Sequence, residues 1–107
     1  MRHDEYTMAL DPAAAEVSSG AMAAVLVTFR APPRLQQTRV RLGVDGLPRG
    51  VAVEFYPLTP RLGGVAVLIL TTSRVARADA APVIITARPI SGEPEAASVP
   101  FHLTVAG

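Results

Sequence analysis

Gly46-Leu47-Pro48-Arg49-Gly50-Val51-Ala52-Val53-Glu54-Phe55-Tyr56-Pro57 is the stretch that decides the class of fold. Gly46 and Gly50 bracket a turn in which positive φ is cheap only for glycine, and Pro48 fixes φ between them. Beyond the turn, Val51, Val53 and Phe55 alternate with Ala52, Glu54 and Tyr56. Strand side chains point to opposite faces in turn, so this spacing places the first three on one buried face. Phe55 is the largest of them and is expected to fill the centre of the interior. Leu47 is expected to plug one end of it.

The same period of two recurs on both sides of this stretch. Val25, Val27 and Phe29 share a parity, as do Val40, Leu42 and Val44, with Arg39 and Arg41 on the other parity. Leu68 and Leu70 repeat it, then Val83 and Ile85, then Val99, Phe101, Leu103 and Val105. Turn-forming clusters separate these runs: Ser18-Ser19-Gly20, Ala31-Pro32-Pro33, Pro57 to Gly64, and Ser91-Gly92-Glu93-Pro94. With an opening strand at Tyr6 to Leu10, about seven short strands are predicted, the pattern of a β-sandwich. Nearly all of the ten prolines fall between the runs, where no ladder N–H is lost. Two segments have some helical character. Ala13 to Glu16 lies between Pro12 and Ser18-Ser19-Gly20 and is too short to hold a helix in water; Arg74 to Ala81 is expected to form at most one turn.

Composition bounds the rest. At 107 residues and 11.2 kDa the chain supports one domain. A folded chain of this mass exposes about 5,700 Å², enough burial for a core without metal or disulfide. Cysteine is absent, the formal net charge is +1, and no apolar run approaches the ~20 residues of a membrane helix. All 10 basic residues are arginine. The start, Met1-Arg2-His3-Asp4-Glu5, carries acids where a secretory leader is basic. Residues 1–5 are therefore expected to be a flexible leader, able to extend the first strand onto a partner's edge, and residues 6–107 the sandwich.

Gly46-Leu47-Pro48-Arg49-Gly50-Val51, followed by Phe55, Pro57, Thr59 and Pro60, resembles a signature of bacterial immunoglobulin-like sandwich domains. The opening Tyr6 to Pro12 and the turn at Gly20 are similar to the first strand, proline kink and glycine turn of those domains, and Ala96 to Val105 to their last strand. The resemblance spans roughly residues 6–105. It implies an all-β, single immunoglobulin-like sandwich of about seven antiparallel strands, fibronectin-III-like in class, of the sort found in secreted, surface and phage proteins. Such domains usually carry a tyrosine near the start of the sixth strand, where this chain has Asp79-Ala80-Ala81-Pro82-Val83. The hydrogen bond of a tyrosine corner is then expected to be missing at Ala81.

A second departure concerns the solvent side. Ala23 to Val27 and Val65 to Leu70 are apolar on both parities. The resemblance makes these strands neighbours, so Ala24 and Leu26 beside Val65, Val67 and Ile69 are predicted to form one outward apolar patch. Strands apolar on both faces are expected where both are buried, and a large exposed patch marks an interface. The plainer reading is β-branched residues chosen only for strand packing.

Catalytic signals are weak. His3 and His102 lie at opposite ends of the chain, and no Gly-x-Ser-x-Gly elbow or Ser/His/Asp arrangement occurs. Asp45 and Asp79 lack the clustered oxygens of a calcium loop, and Gly63-Gly64 has no lysine to make a phosphate loop. Arg39 and Arg41 are a close basic pair without interleaved aromatics, which disfavours nucleic acid; they are expected to face Glu54 across the sheet. Tyr56, facing outward beside Pro57, is the best candidate for a glycan contact, though one ring is not a platform. The resulting expectation is a non-catalytic subunit with no cofactor, no metal and no membrane insertion, docking on a larger multimeric assembly or on itself. A phage virion decoration is the first reading; a spacer or adhesion module of a cell-surface or secreted protein, with weakly supported carbohydrate binding, is the second.

Overall fold

The computed structural model describes residues 6–74, 79–92 and 95–106. The leader expected at residues 1–5 lies outside the described residues. Among the described residues eight strands form two four-stranded sheets. In chain order they are β1 Thr7–Asp11, β2 Ala14–Ser18, β3 Met22–Arg30, β4 Val40–Asp45, β5 Val51–Tyr56, β6 Val65–Thr72, β7 Asp79–Pro89 and β8 Ala97–Ala106, with a 3-10 turn at Pro33–Leu35. One sheet has the order β1-β3-β6-β5 and the other β2-β8-β7-β4. The architecture is the all-β sandwich the alternation predicts.

The strand count and direction differ from expectation at the N-terminus. Asp11-Pro12 interrupts the first run, and the chain crosses from one sheet to the other: β1 pairs antiparallel with β3, while β2 runs parallel to β8. Ala13 to Glu16, weighed above as helical, is extended, because β8 offers Ala14 to Ser18 a ladder that a short helix cannot match. The segment expected to turn at Arg74 to Ala81 is already strand by Asp79, its register with Val105 setting the start of β7. Prolines also enter strands where a neighbour has ended. Pro82 lies beyond the last β4 partner, Ile84, and Pro100 beyond the first β2 partner, His102, so neither costs a ladder bond.

The inward parities close a single core. Val25, Val27, Leu68 and Leu70 of one sheet face Val83, Ile85, Phe101, Leu103 and Val105 of the other, all buried. Phe101, not Phe55, is the largest fully buried side chain. The reason is position. Phe55 sits on β5, an edge strand, and packs only partly buried against the rim, whereas β8 lies between two neighbours. Leu47 packs at the core boundary as expected, and Gly46 and Gly50 both have φ of 86°. The elongated outline, 45 × 24 × 20 Å, carries 6430 Å² of surface, above the about 5,700 Å² average for this mass.

Polar groups that enter the interior are satisfied. The Thr72 hydroxyl lies 2.8 Å from the Ser18 carbonyl oxygen and 2.6 Å from that of Ala21, pinning the end of β6 to the β2–β3 turn. Ala81 pairs with Leu103 in mid-ladder, and a tyrosine acts elsewhere. Tyr6, just before β1, is buried, with its hydroxyl 3.1 Å from the Ala87 carbonyl oxygen and 2.9 Å from that of Glu95. It joins the edge of one sheet to β7 and to the approach to β8.

Burial raises the Tyr6 phenol above its ordinary value of 10.0, opposed by a hydrogen bond from the Ala97 backbone. In the unfolded chain the phenol ionises first, so this contribution is fully present below pH 10.0 and is lost as pH rises through the native value. Tyr6→Phe should lower stability by about 1–2 kcal/mol in urea denaturation near neutrality and reduce the alkaline loss. An unchanged midpoint would show that the hydroxyl ties nothing.

Candidate docking face

Register assembles the outward residues of the first sheet. β3 and β6 pair Ala24 with Ile69, Leu26 with Val67 and Thr28 with Val65. Directly opposed residues point to the same side, and here that side is solvent, because Val25↔Leu68 and Val27↔Ala66 point inward. The five predicted positions Ala24, Leu26, Val65, Val67 and Ile69 therefore lie together. Leu26 is 41% exposed and Val65 56% exposed; Val67 and Ile69 are half-buried between flanking strands.

The structure adds what pattern alone missed. β5 pairs Glu54 with Ile69 and Tyr56 with Val67, so Tyr56 joins the patch rather than forming a separate site. On the other side β1 places Asp11 opposite Leu26. One row thus runs Asp11, Leu26, Val67, Tyr56 across all four strands, and the next runs Ala24, Ile69, Glu54. Exposed Met22, opposite Thr71, extends the face at one end. No sequence signal marks Tyr56 or Met22 as part of it, because pairing partners cannot be read from one strand alone.

One part of the rim is an ordered acidic pair. Tyr56 donates its hydroxyl hydrogen to Glu54 Oε1 at 2.5 Å. That bond, with slight desolvation and the carboxylate charge, raises the phenol above 10.0. Glu54 is consequently engaged with Tyr56 on the first sheet, while Arg41 lies on β4 in the second. The expected pairing of Arg39 and Arg41 with Glu54 is therefore corrected: Arg41 belongs to the opposite sheet, and Arg39, just before β4, bridges to Arg61 and donates to the Thr59 carbonyl.

Other candidate chemistry is dispersed. His102 is outward on β8 opposite Pro82 and Ala14, and Asp45 ends β4. Among the described residues no three of His, Cys, Asp and Glu gather as a metal-binding group. A depression of about 630 Å³ near Tyr6, Phe29 and Gln36 is wide open, and the Tyr6 hydroxyl is turned away to its carbonyl partners. Among the described residues no helix is long and apolar enough to cross a membrane.

No family model matches the chain, and neither does any curated protein. Solved structures do match. Domains 4 and 5 of the S-layer protein SbsC align at a TM-score of 0.67 with 15% identity, covering 94% of this chain and 51% of that one. A structure of domains 1–6 of surface layer protein SbsC aligns at 0.66 with 14% identity, over 94% of this chain and 12% of that one. The PapD-like domain 7 of human CEP192 aligns at 0.62 with 14% identity, over all of this chain and 89% of that domain. More distantly, a family 123 glycoside hydrolase from Clostridium perfringens aligns at 0.55 with 8% identity, covering 27% of its own chain. The chain thus spans about half of the two-domain surface-layer fragment. At these identities the likeness establishes an immunoglobulin-like β-sandwich.

The Tyr56–Glu54 bond gives the face a spectroscopic handle. Both of the 2 tyrosines should titrate above 10.0, and Glu54→Gln should move the ultraviolet titration of Tyr56 alone back toward that value. A titration indifferent to the substitution would mean that the bond does not persist in solution.

Proposed function

We propose that this chain is a non-catalytic structural module of an exported, surface-forming protein, and that its β3–β6 face packs against a second copy of the module. The observation that carries the reading is the outward apolar row Leu26–Val67–Tyr56 with Ala24–Ile69 beside it. Cross-strand packing accounts for some of these residues, but a contiguous exposed apolar row marks an interface. Asp11, Glu54 and Arg30 stand around an uncharged centre, so the face carries both signs at its rim and can meet its own image. A strand rise of about 3.4 Å per residue and strand spacing of about 4.8 Å give it a projected area of about 500 Å². A stable dimer buries about 800 Å² per partner, so this is the scale of a weak, reversible contact.

The likeness to SbsC, one multidomain surface-layer protein matched in two structures, supports placement at a cell surface over a virion decoration. Carbohydrate binding through Tyr56 fits less well, because its hydroxyl is committed to Glu54 and no second ring lies beside it among the described residues.

Sedimentation over a wide concentration range tests the reading. The wild-type chain should self-associate reversibly, and Leu26→Thr with Ile69→Thr should weaken association by about tenfold or more per substitution while leaving the melting temperature nearly unchanged. A monomer at every concentration, or association untouched by the pair, would overturn it.

A further inference from the structure

The outer face of the second sheet has a different chemistry. Gly43 sits in the middle of β4, opposite Thr86 on β7 and between Arg41 and Asp45. Glycine loses more freedom on folding than any other residue, so a strand interior normally excludes it. Nothing in the backbone asks for it here: Gly43 is not among the glycines with positive φ, and an added Cβ would meet nothing within 4 Å. A glycine inside a strand often marks a bulge, a bend or the close approach of another group; β4 keeps an unbroken one-to-one register with β7 through Gly43, so there is no bulge. The effect of Gly43 is a strip of bare main chain forming the floor of an open groove of about 340 Å³, walled by Arg41 and Arg88 at one end and Asp45 at the other.

The charges at the first end are unusual. Arg41 and Arg88 are exposed and directly opposed across β4 and β7. Like charges so placed repel, and the neighbouring outward positions offer Gly43, Thr86 and Arg39 but no carboxylate. Arg39 itself pairs in register with another arginine, Arg61. The Thr86 hydroxyl in the groove lies 3.1 Å from that of Ser98, and Ile84 and Ile90, outside the lining on the same strand and the turn after it, are exposed at 38% and 60%. Among the described residues no aromatic ring lines this groove: Tyr56 and Phe55 belong to the other sheet, Phe101 is buried, and His102, outward on β8, lies outside the lining. Sugar rings and nucleic-acid bases therefore have nothing to stack on. Guanidinium forks match carboxylates, and exposed isoleucines suit apolar side chains between them.

We infer that this groove binds an extended acidic peptide segment of a partner polypeptide, laid over Gly43 with carboxylates on Arg41 and Arg88. The site is on the opposite sheet from the self-association face, and either can fail without the other.

The probe is a short synthetic peptide alternating glutamate and valine, titrated into the labelled chain and followed by amide resonances. Inorganic phosphate and heparin serve as comparisons. The peptide should shift Gly43 and Thr86 saturably, less so as salt rises. Arg88→Glu, and Gly43→Val at unchanged charge, should each weaken it by about tenfold or more. Gly43→Ala provides the milder filling should valine disturb the strand, and Tyr56→Ala should leave binding intact. Absence of peptide binding, binding indifferent to both Gly43 variants, or the same shifts with heparin or phosphate but not peptide would overturn the inference.

Discussion

Everything in this sandwich depends on the register of β3 against β6. Val25 opposite Leu68 and Val27 opposite Ala66 send one parity of both strands into the core, which commits Leu26 opposite Val67 and Ala24 opposite Ile69 to the solvent side. Side chains alternate with a period of two, so a slip of one residue would exchange the two sets. In most half-exposed sheets the hydrophobic pattern resists such a slip, because polar residues would be buried by it. Here both parities are apolar and the pattern alone discriminates little. The register is held at its ends instead: the Thr72 hydroxyl meets the Ser18 and Ala21 carbonyls, and Gly20 and Gly50 set the adjoining turns with positive φ.

The N-terminal segment is the second element of that control. By crossing at Pro12 it gives β1 to one sheet and β2 to the other, so the same short stretch supplies an edge strand to both, beside β3 and β8. Both edge strands are only 5 residues long, and very short edge strands offer little for another chain to pair with. Tyr6 then fastens this strand across the interior to Ala87 and Glu95. The two sheets are left with unlike outer surfaces, one a flat apolar field rimmed by Asp11 and Glu54, the other a groove bordered by arginines.

How much of this could be read from residues follows from the range of the interactions involved. Alternation is local, so the strands, the inward residues and the outward apolar set Ala24, Leu26, Val65, Val67 and Ile69 were all legible. The turn Gly46 to Gly50 was legible for the same reason. Phe55 misled because size says nothing of whether a strand lies at an edge. Tyr6 was passed over as a clamp because its partners are more than 80 residues away. Tyr56 and the Arg41–Arg88 pair required knowing which strands are neighbours. Glu54 was matched to the wrong arginines because charge complementarity carries no information about sheets. The extra strand came from Pro12: the proline was visible, but that it moves the chain to another sheet is a property of the whole fold.

The chain has no cysteine, so a single introduced thiol reports on one position alone. Maleimide labelling of Leu26→Cys, compared with Thr104→Cys on the outer face of the other sheet, follows the solvent side of β3 directly. The account predicts that both react promptly in dilute solution and that only position 26 becomes protected as chain concentration rises. Labelling at position 26 that stays equally fast at every concentration, or that is slow even in the dilute chain, would contradict it.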